Sequence, residues 1–166
     1  MEDMTQTFLR AYDEHADALF RHCYFKINDR ERARDILQDT FTKTWGYMAQ
    51  GNEINNLKAF LYRTLNNLII DEYRKKKETS LDEMHEAGFD PKADDPTSAE
   101  RRFDAERAIL LLNEIDEPYK SALVMRYINE LDISEIAEIT GESENTVSVH
   151  VHRGIKKLKE LFNEYE

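Results

Sequence analysis

Apolar residues recur at every third or fourth position along most of the chain, the period of a helix with one buried face. Phe8, Tyr12, Ala16, Leu19, Cys23 and Ile27 form the first stripe. Leu37, Phe41, Trp45 and Met48 form a second, after a turn at Asn28-Asp29 in which Asp29 is the expected N-cap. A third stripe of Leu57, Leu61, Leu65, Leu68 and Ile69 follows the polar segment 51–56 and extends to Lys77, a helix of about 30 Å. Asn56 is placed to accept from its first unpaired backbone amides. Beyond residue 105 the period returns in shorter runs. Ala108, Leu111, Leu112 and Ile115 make a fourth stripe; Tyr119, Leu123 and Tyr127 make a fifth, with Pro118 in its first turn. Asp132 with Glu135 reads as a capping-box start, and Ser143 opens a last helix with stripe Val147, Val151, Ile155, Leu158 and Phe162. No window alternates with period two, so the expected fold class is all-α.

Between the two groups, residues 78–104 hold Gly88, Pro91, Pro96 and the acids Asp90, Asp94 and Asp95. That composition predicts a flexible, self-repelling acidic linker joining two small helical domains at 5–77 and 105–164. The full chain has 166 residues and a net charge of −11, which excludes a globally basic nucleic-acid coat. By segment, however, the charge is +1 over 1–77, −6 over 78–104 and −6 over 105–166. The acid excess therefore lies outside the first domain, whose last predicted helix ends in Arg74-Lys75-Lys76-Lys77. No apolar run reaches membrane-spanning length, and the acidic start Met1-Glu2-Asp3 is unlike a signal peptide, so a cytoplasmic protein without membrane insertion is expected. A single cysteine, Cys23, allows neither an internal disulfide nor a cysteine-cluster metal site.

The spacing of Ala137, Gly141 and Val147 fits a helix-turn-helix. Alanine permits close helix approach, glycine supplies positive φ at the turn, and valine packs the second helix on the first. The second helix then turns Asn145, Ser148, Val149, His152, Arg153 and Lys156 outward, as a helix lying in a major groove requires. The basic residues Arg153, Lys156, Lys157 and Lys159 would bond phosphates beside it.

With these residues in view, the chain resembles the extracytoplasmic-function (ECF) sigma factors. Ile115-Asp116-Glu117-Pro118-Tyr119-Lys120, Val124-Met125-Arg126-Tyr127, Glu135-Ile136-Ala137-Glu138, Gly141, Thr146-Val147 and His152-Arg153 look like the family's C-terminal domain. Asp35-Ile36-Leu37-Gln38-Asp39-Thr40-Phe41 with Trp45 is similar to its polymerase-binding helix, and Ala59-Phe60-Leu61-Tyr62-Arg63 with Asn67-Leu68 and Asp71 to its −10 helix. The resemblance implies core RNA polymerase, promoter DNA and an anti-sigma factor as partners, and no cofactor. Asp35, Gln38, Asp39 and Thr42 would meet the polymerase. Asn52, Glu53, Asn55 and Asn56 would capture a flipped −10 base, and Arg63, Asn66, Asn67, Arg74 and Lys77 would hold the melted strand. Tyr62, Tyr73 and Trp45 are candidate stackers, Trp45 fitting the core as well. Asn145, Thr146, Ser148, Val149, His152, Arg153, Lys156 and Lys157 would face the −35 element.

The chain also departs from the family pattern. Glu142 stands where an apolar turn residue is usual, Asn145 replaces a small residue, and Ser148 and His150 replace early bases of the reading helix. Glu130, Asp132, Glu135, Glu138, Glu142 and Glu144 lie between Tyr127 and His150 with no Lys or Arg among them, so weak −35 binding by the free chain is expected. His150 and His152 fall on different helix faces and make no chelating pair. No phosphate loop, paired-carboxylate pocket or nucleophile elbow is present, so no enzyme is expected. Two other readings fit parts of the pattern: a sigma mimic that titrates an anti-sigma factor, and a helix-turn-helix repressor.

Overall fold

The computed structural model describes residues 2–79 and 107–164, and the expected linker falls almost wholly outside them. Two compact helical units result, one on each side of that segment. No strand occurs among the described residues.

The first unit packs α1 (Glu2–Ile27), α2 (Arg30–Ala49) and α3 (Leu57–Thr79) on one another. The expected turn forms at Asn28, with φ at 58°, and at extended Asp29, whose side chain accepts from the Arg32 amide at 3.2 Å. Asn56 caps α3, its Oδ1 accepting from the Ala59 amide at 3.0 Å. The core joins Leu19, Cys23 and Ile27 of α1 to Ala33, Ile36 and Phe41 of α2 and Leu61, Leu65 and Ile69 of α3.

Two predicted stripes need correction. Tyr12 is 47% exposed while Ala11 is buried, although the Tyr12 ring lies 4.8 Å from that of the buried Phe41, so it edges the core without entering it. On α2 the buried line is Ala33, Ile36, Thr40 and Thr44 with Phe41, while Leu37 and Trp45 are half-buried. The Thr40 and Thr44 hydroxyls each donate to the carbonyl four residues back, at 2.8 Å. A satisfied hydroxyl can enter a core that hydropathy would deny it. At the N-terminal end Phe8 stands edge-on to Phe41 and Trp45, with centroids 5.9 and 5.1 Å away.

Polar pairs also lie inside this unit. Glu72 of α3, 8% exposed, accepts from Arg32 of α2 through both Nε, at 2.8 Å, and Nη2. His22 of α1 is fully buried, its Nε2 2.7 Å from Asn66 Oδ1 of α3 and its ring edge-on to Tyr62 at 5.6 Å. Cys23 is buried as expected, and burial pushes its thiol up to about 12.

In the second unit, α4 is described over 107–113 and closes through tight bonds from the Glu114 and Ile115 amides to the Leu111 and Leu112 carbonyls. Helix α5 (Tyr119–Leu123) runs directly into a π-helical turn, Val124–Ile128. There the Asn129 amide reaches the Val124 carbonyl at 3.0 Å. The extra residue in that wide turn re-aims the faces: Leu123, Val124 and Met125 are buried, whereas Tyr127, expected in the stripe, is 57% exposed. Helices α6 (Ile133–Thr140) and α7 (Glu144–Glu164) complete the unit. Leu112, Ile115 and Leu123 form its core, with Tyr119, Ile128, Ile155, Leu158 and Leu161 against them. Of the predicted α7 stripe, Phe162 is 37% exposed, with the Arg107 guanidinium 4.8 Å above its ring. Gly154 is buried where α7 meets α5: a Cβ there would lie 2.9 Å from Leu123 Cγ.

Two outcomes follow from these contacts. The hydrogen-bonded Arg32 guanidinium holds the Glu72 carboxyl below the usual carboxylate range, so its stabilisation is present above the unfolded-state pKa and is lost as pH falls through the lowered one. Glu72→Gln should cost about 1–2 kcal/mol at neutral pH, because Arg32 is partly screened by water. In urea titrations its gap from the parent should close below about pH 4. Gly154→Ala should cost about 1–2 kcal/mol through overpacking, and adding Leu123→Ala should give a calorimetric loss smaller than the sum of the two single losses.

Candidate nucleic-acid interface

On α2, Asp35, Gln38, Asp39 and Thr42 are all exposed, on the side away from the buried Ala33–Thr44 line. Asp35 lies 3.6 Å from Arg32 Nη1. Asp39 edges an open recess between α2 and α3 that it shares with Lys43, Asp71 and Arg74. One carboxylate of the expected protein-binding face thus adjoins a cation of the expected DNA-binding helix.

The loop between α2 and α3 turns at Gly51, φ 88°, and presents Asn52, Glu53, Asn55 and Asn56, all exposed. Asn52 Nδ2 donates to the Tyr47 carbonyl at 3.0 Å, and Asn56 is the cap already described. Beside the loop, Tyr47 and Phe60 pack with ring centroids 5.0 Å apart and Tyr47 40% exposed. Sequence reasoning missed this pair and named Tyr62, Tyr73 and Trp45 instead. Tyr62 is only 1% exposed and packs on His22, so it offers no face to a base. Tyr73 is exposed, but its hydroxyl donates to the Lys26 carbonyl. Trp45 stands against Phe8. The missed signal was symmetry about the loop: an aromatic four residues before Gly51 and another four after Asn56.

Along α3, Arg63, Asn67, Arg74 and Lys77 are exposed, with Ile70 among them at 48% exposure. Lys75 and Lys76 extend the basic end. Asn66 sits at the border of this face, half-buried, its carboxamide oxygen turned inward to His22. The result is a ridge with cations for phosphates, amides for base edges and one apolar side chain, the mixture that single-stranded nucleic acid binding uses.

In the second unit, Asp132 caps α6 by accepting from the Glu135 amide at 2.8 Å and the Ser134 hydroxyl at 2.7 Å. Gly141 takes φ 75°, as the turn requires, and its amide reaches the Ala137 carbonyl at 2.9 Å. Ser143 Oγ then caps α7 by accepting from the Thr146 amide at 3.1 Å, and Val147 is buried as expected. Asn145, Ser148, His152, Arg153 and Lys156 are exposed along one side of α7, with Val149 half-buried among them. Two predicted members depart from that side. Thr146 is half-buried with its hydroxyl 2.8 Å from that of Ser143, and Lys157 holds its ammonium 5.0 Å over the Tyr119 ring. Glu142 is half-buried in the turn, Oε2 lying 3.2 Å from Nδ1 of His150, whose ring is edge-on to Tyr119 at 5.7 Å. An acid thus occupies an expected apolar position, met by a histidine nearly two turns into α7. Among the described residues no group of three or more His, Cys, Asp or Glu could hold a metal ion, and no helix is long and apolar enough to cross a membrane.

These two units match known families in the same order. Residues 11–79 match sigma-70 region 2, and residues 105–158 match sigma-70 region 4. The RNA polymerase sigma factor SigV of Bacillus subtilis is 26% identical over 146 residues, 88% of this chain and 85% of that protein. The ECF RNA polymerase sigma factor SigW of the same organism is 27% identical over 165 residues, covering 92% and 87%. Among solved structures, the sigma factor RpoE with the anti-sigma factor NepR from Bartonella quintana shares the fold at a TM-score of 0.74, with 22% identity and 98% of each chain covered. CnrH, in complex with the cytosolic domain of CnrY, does so at 0.73, with 20% identity over 98% of this chain and 91% of that one. With both sigma-70 regions present in order on two helical units, the chain belongs to the ECF sigma factor family.

Proposed function

We propose that this chain binds core RNA polymerase through the exposed α2 face and directs it to promoters through three DNA-facing surfaces. The observation that carries this reading is the pairing of an acidic outward α2 face with a basic-amide α3 ridge in one unit, followed by a helix-turn-helix in the next. The unit around 5–77 melts and holds the −10 element: loop residues Asn52, Glu53, Asn55 and Asn56 offer donors and acceptors to a flipped base, and Tyr47 with Phe60 gives it an aromatic wall. Arg63, Asn67, Arg74 and Lys77 follow the melted strand. The unit around 105–164 sets Asn145, Ser148, Val149, His152, Arg153 and Lys156 toward the −35 element, and the acidic linker threads the polymerase toward the RNA exit path. An anti-sigma factor controls the protein by covering these faces. The chain acts by binding in the cytoplasm, without catalysis of its own.

Charge explains why polymerase is needed. The second unit carries more acids than bases, and its few outward cations neutralise only a few phosphates; most of the electrostatic attraction must come from the enzyme to which it is bound.

The reading is tested by adding the purified chain to core polymerase and measuring promoter-dependent transcription from a genomic library. Specific initiation supports it. Core binding without initiation on any promoter makes the chain a mimic that titrates a partner, and tight duplex binding without core makes it a repressor. Charge reversal at Asp35 and Asp39 should weaken core affinity at least tenfold in fluorescence titrations. Within the holoenzyme, Arg153→Ala or Lys156→Ala should reduce the salt slope of −35 binding by about 1, whereas Lys157→Ala, whose ammonium is turned to Tyr119, should leave it nearly unchanged.

A further inference from the structure

A buried histidine stands directly behind the DNA-facing ridge of α3. His22 is fully enclosed, and its Nε2 lies 2.7 Å from the Asn66 carboxamide oxygen. An amide oxygen only accepts, so the histidine nitrogen in this bond is the donor. Its ring is also fixed from the side, edge-on to Tyr62 one helical turn before Asn66. Histidine and tyrosine together determine which way the carboxamide faces. The oxygen is engaged inside the unit, which leaves the Nδ2 amino group as the remaining hydrogen-bonding atom of a half-buried side chain at the border of the ridge.

We propose that His22 is a positioning residue for promoter reading: it locks the Asn66 carboxamide so that only its amino group meets DNA. An unrestrained asparagine can donate and accept at once and so grips adenine with both atoms. A carboxamide whose oxygen is held from behind offers a donor alone. Where it meets the substituent at C4 of a pyrimidine or C6 of a purine, it selects the carbonyl of thymine or guanine over the exocyclic amine of cytosine or adenine, because two donors brought together leave both unpaired. The selectivity of this position therefore resides in a residue that never touches DNA.

The inference rests on the promoter-reading role given to α3 above, and one experiment separates the two. The full chain is assembled with core polymerase and transcribes templates randomised through the −10 region, with transcripts sequenced. For the parent, one position should favour keto over amino bases, and Asn66→Ala should abolish the preference there alone. His22→Phe keeps an aromatic ring against Tyr62 but removes the donor; the keto-to-amino ratio at that position should fall about tenfold, toward unity, with other positions unchanged. Asn66→Asp retains an oxygen for His22 and turns a second oxygen outward, so the preference should invert to amino bases, and this variant carries the test even if the Phe variant does not fold. An unchanged ratio in both variants, or a loss spread evenly over all positions, overturns the positioning role. If Asn66→Ala alters no position while initiation persists, Asn66 does not read DNA and the proposal fails with that assignment. If no template is transcribed at all, the promoter-reading function itself fails.

Discussion

The rotation of α3 about its own axis is the constraint on which the first unit depends. A helix offering cations and amides on one side and leucines on the other is useful only if it cannot roll. Apolar packing alone tolerates small rotations, since hydrophobic attraction has no direction. Two directional pairs remove that freedom here. Near the middle of the helix, Asn66 is tied to His22 of α1, and nearer its end Glu72 is gripped by two nitrogens of Arg32 of α2. The forked guanidinium donates to a carboxylate in one plane only. The exposed order Arg63, Asn67, Ile70 and Arg74 is therefore held by bonds made on the hidden side of the helix.

The second unit solves its local problem by different means. Glycine at the α6 terminus, a serine cap at the start of α7 and a buried valine in its first turn define the turn geometry with local chemistry. Close approach of α7 to α5 comes from an absent side chain at Gly154. The acidic residues that crowd the turn are in part structural, since Glu142 has a partner in His150. This unit is built to hold a shape and has little charge with which to find DNA unaided.

Much of this was legible beforehand. The helices, the Asp29 and Asn56 caps, the positive-φ glycine of the turn and the outward position of Asp35, Gln38, Asp39 and Thr42 followed from spacing and from the chemistry of unpaired backbone groups. Hydropathy spacing is silent on polar residues that enter the interior. Thr40, Thr44, His22 and Glu72 are interior because each finds a partner, two within its own helix and two across helices, and pairing across helices leaves no periodic trace. Conversely Tyr62 was read as a surface aromatic, although its helical position places it with the leucines. Tyr127 lost its place to the π turn, where one additional residue per turn breaks the count on which a stripe is read. The sequence carries no marker for that insertion.

Cys23 has a consequence for how information reaches the protein. Its thiol is enclosed by the helices of the first unit and stays protonated at physiological pH, and a protonated, inaccessible thiol is a poor target for oxidants and electrophiles. As the only cysteine in the chain, it leaves no thiol route by which redox stress could be sensed directly. A thiol-directed reagent therefore acts on this unit only after its helices part.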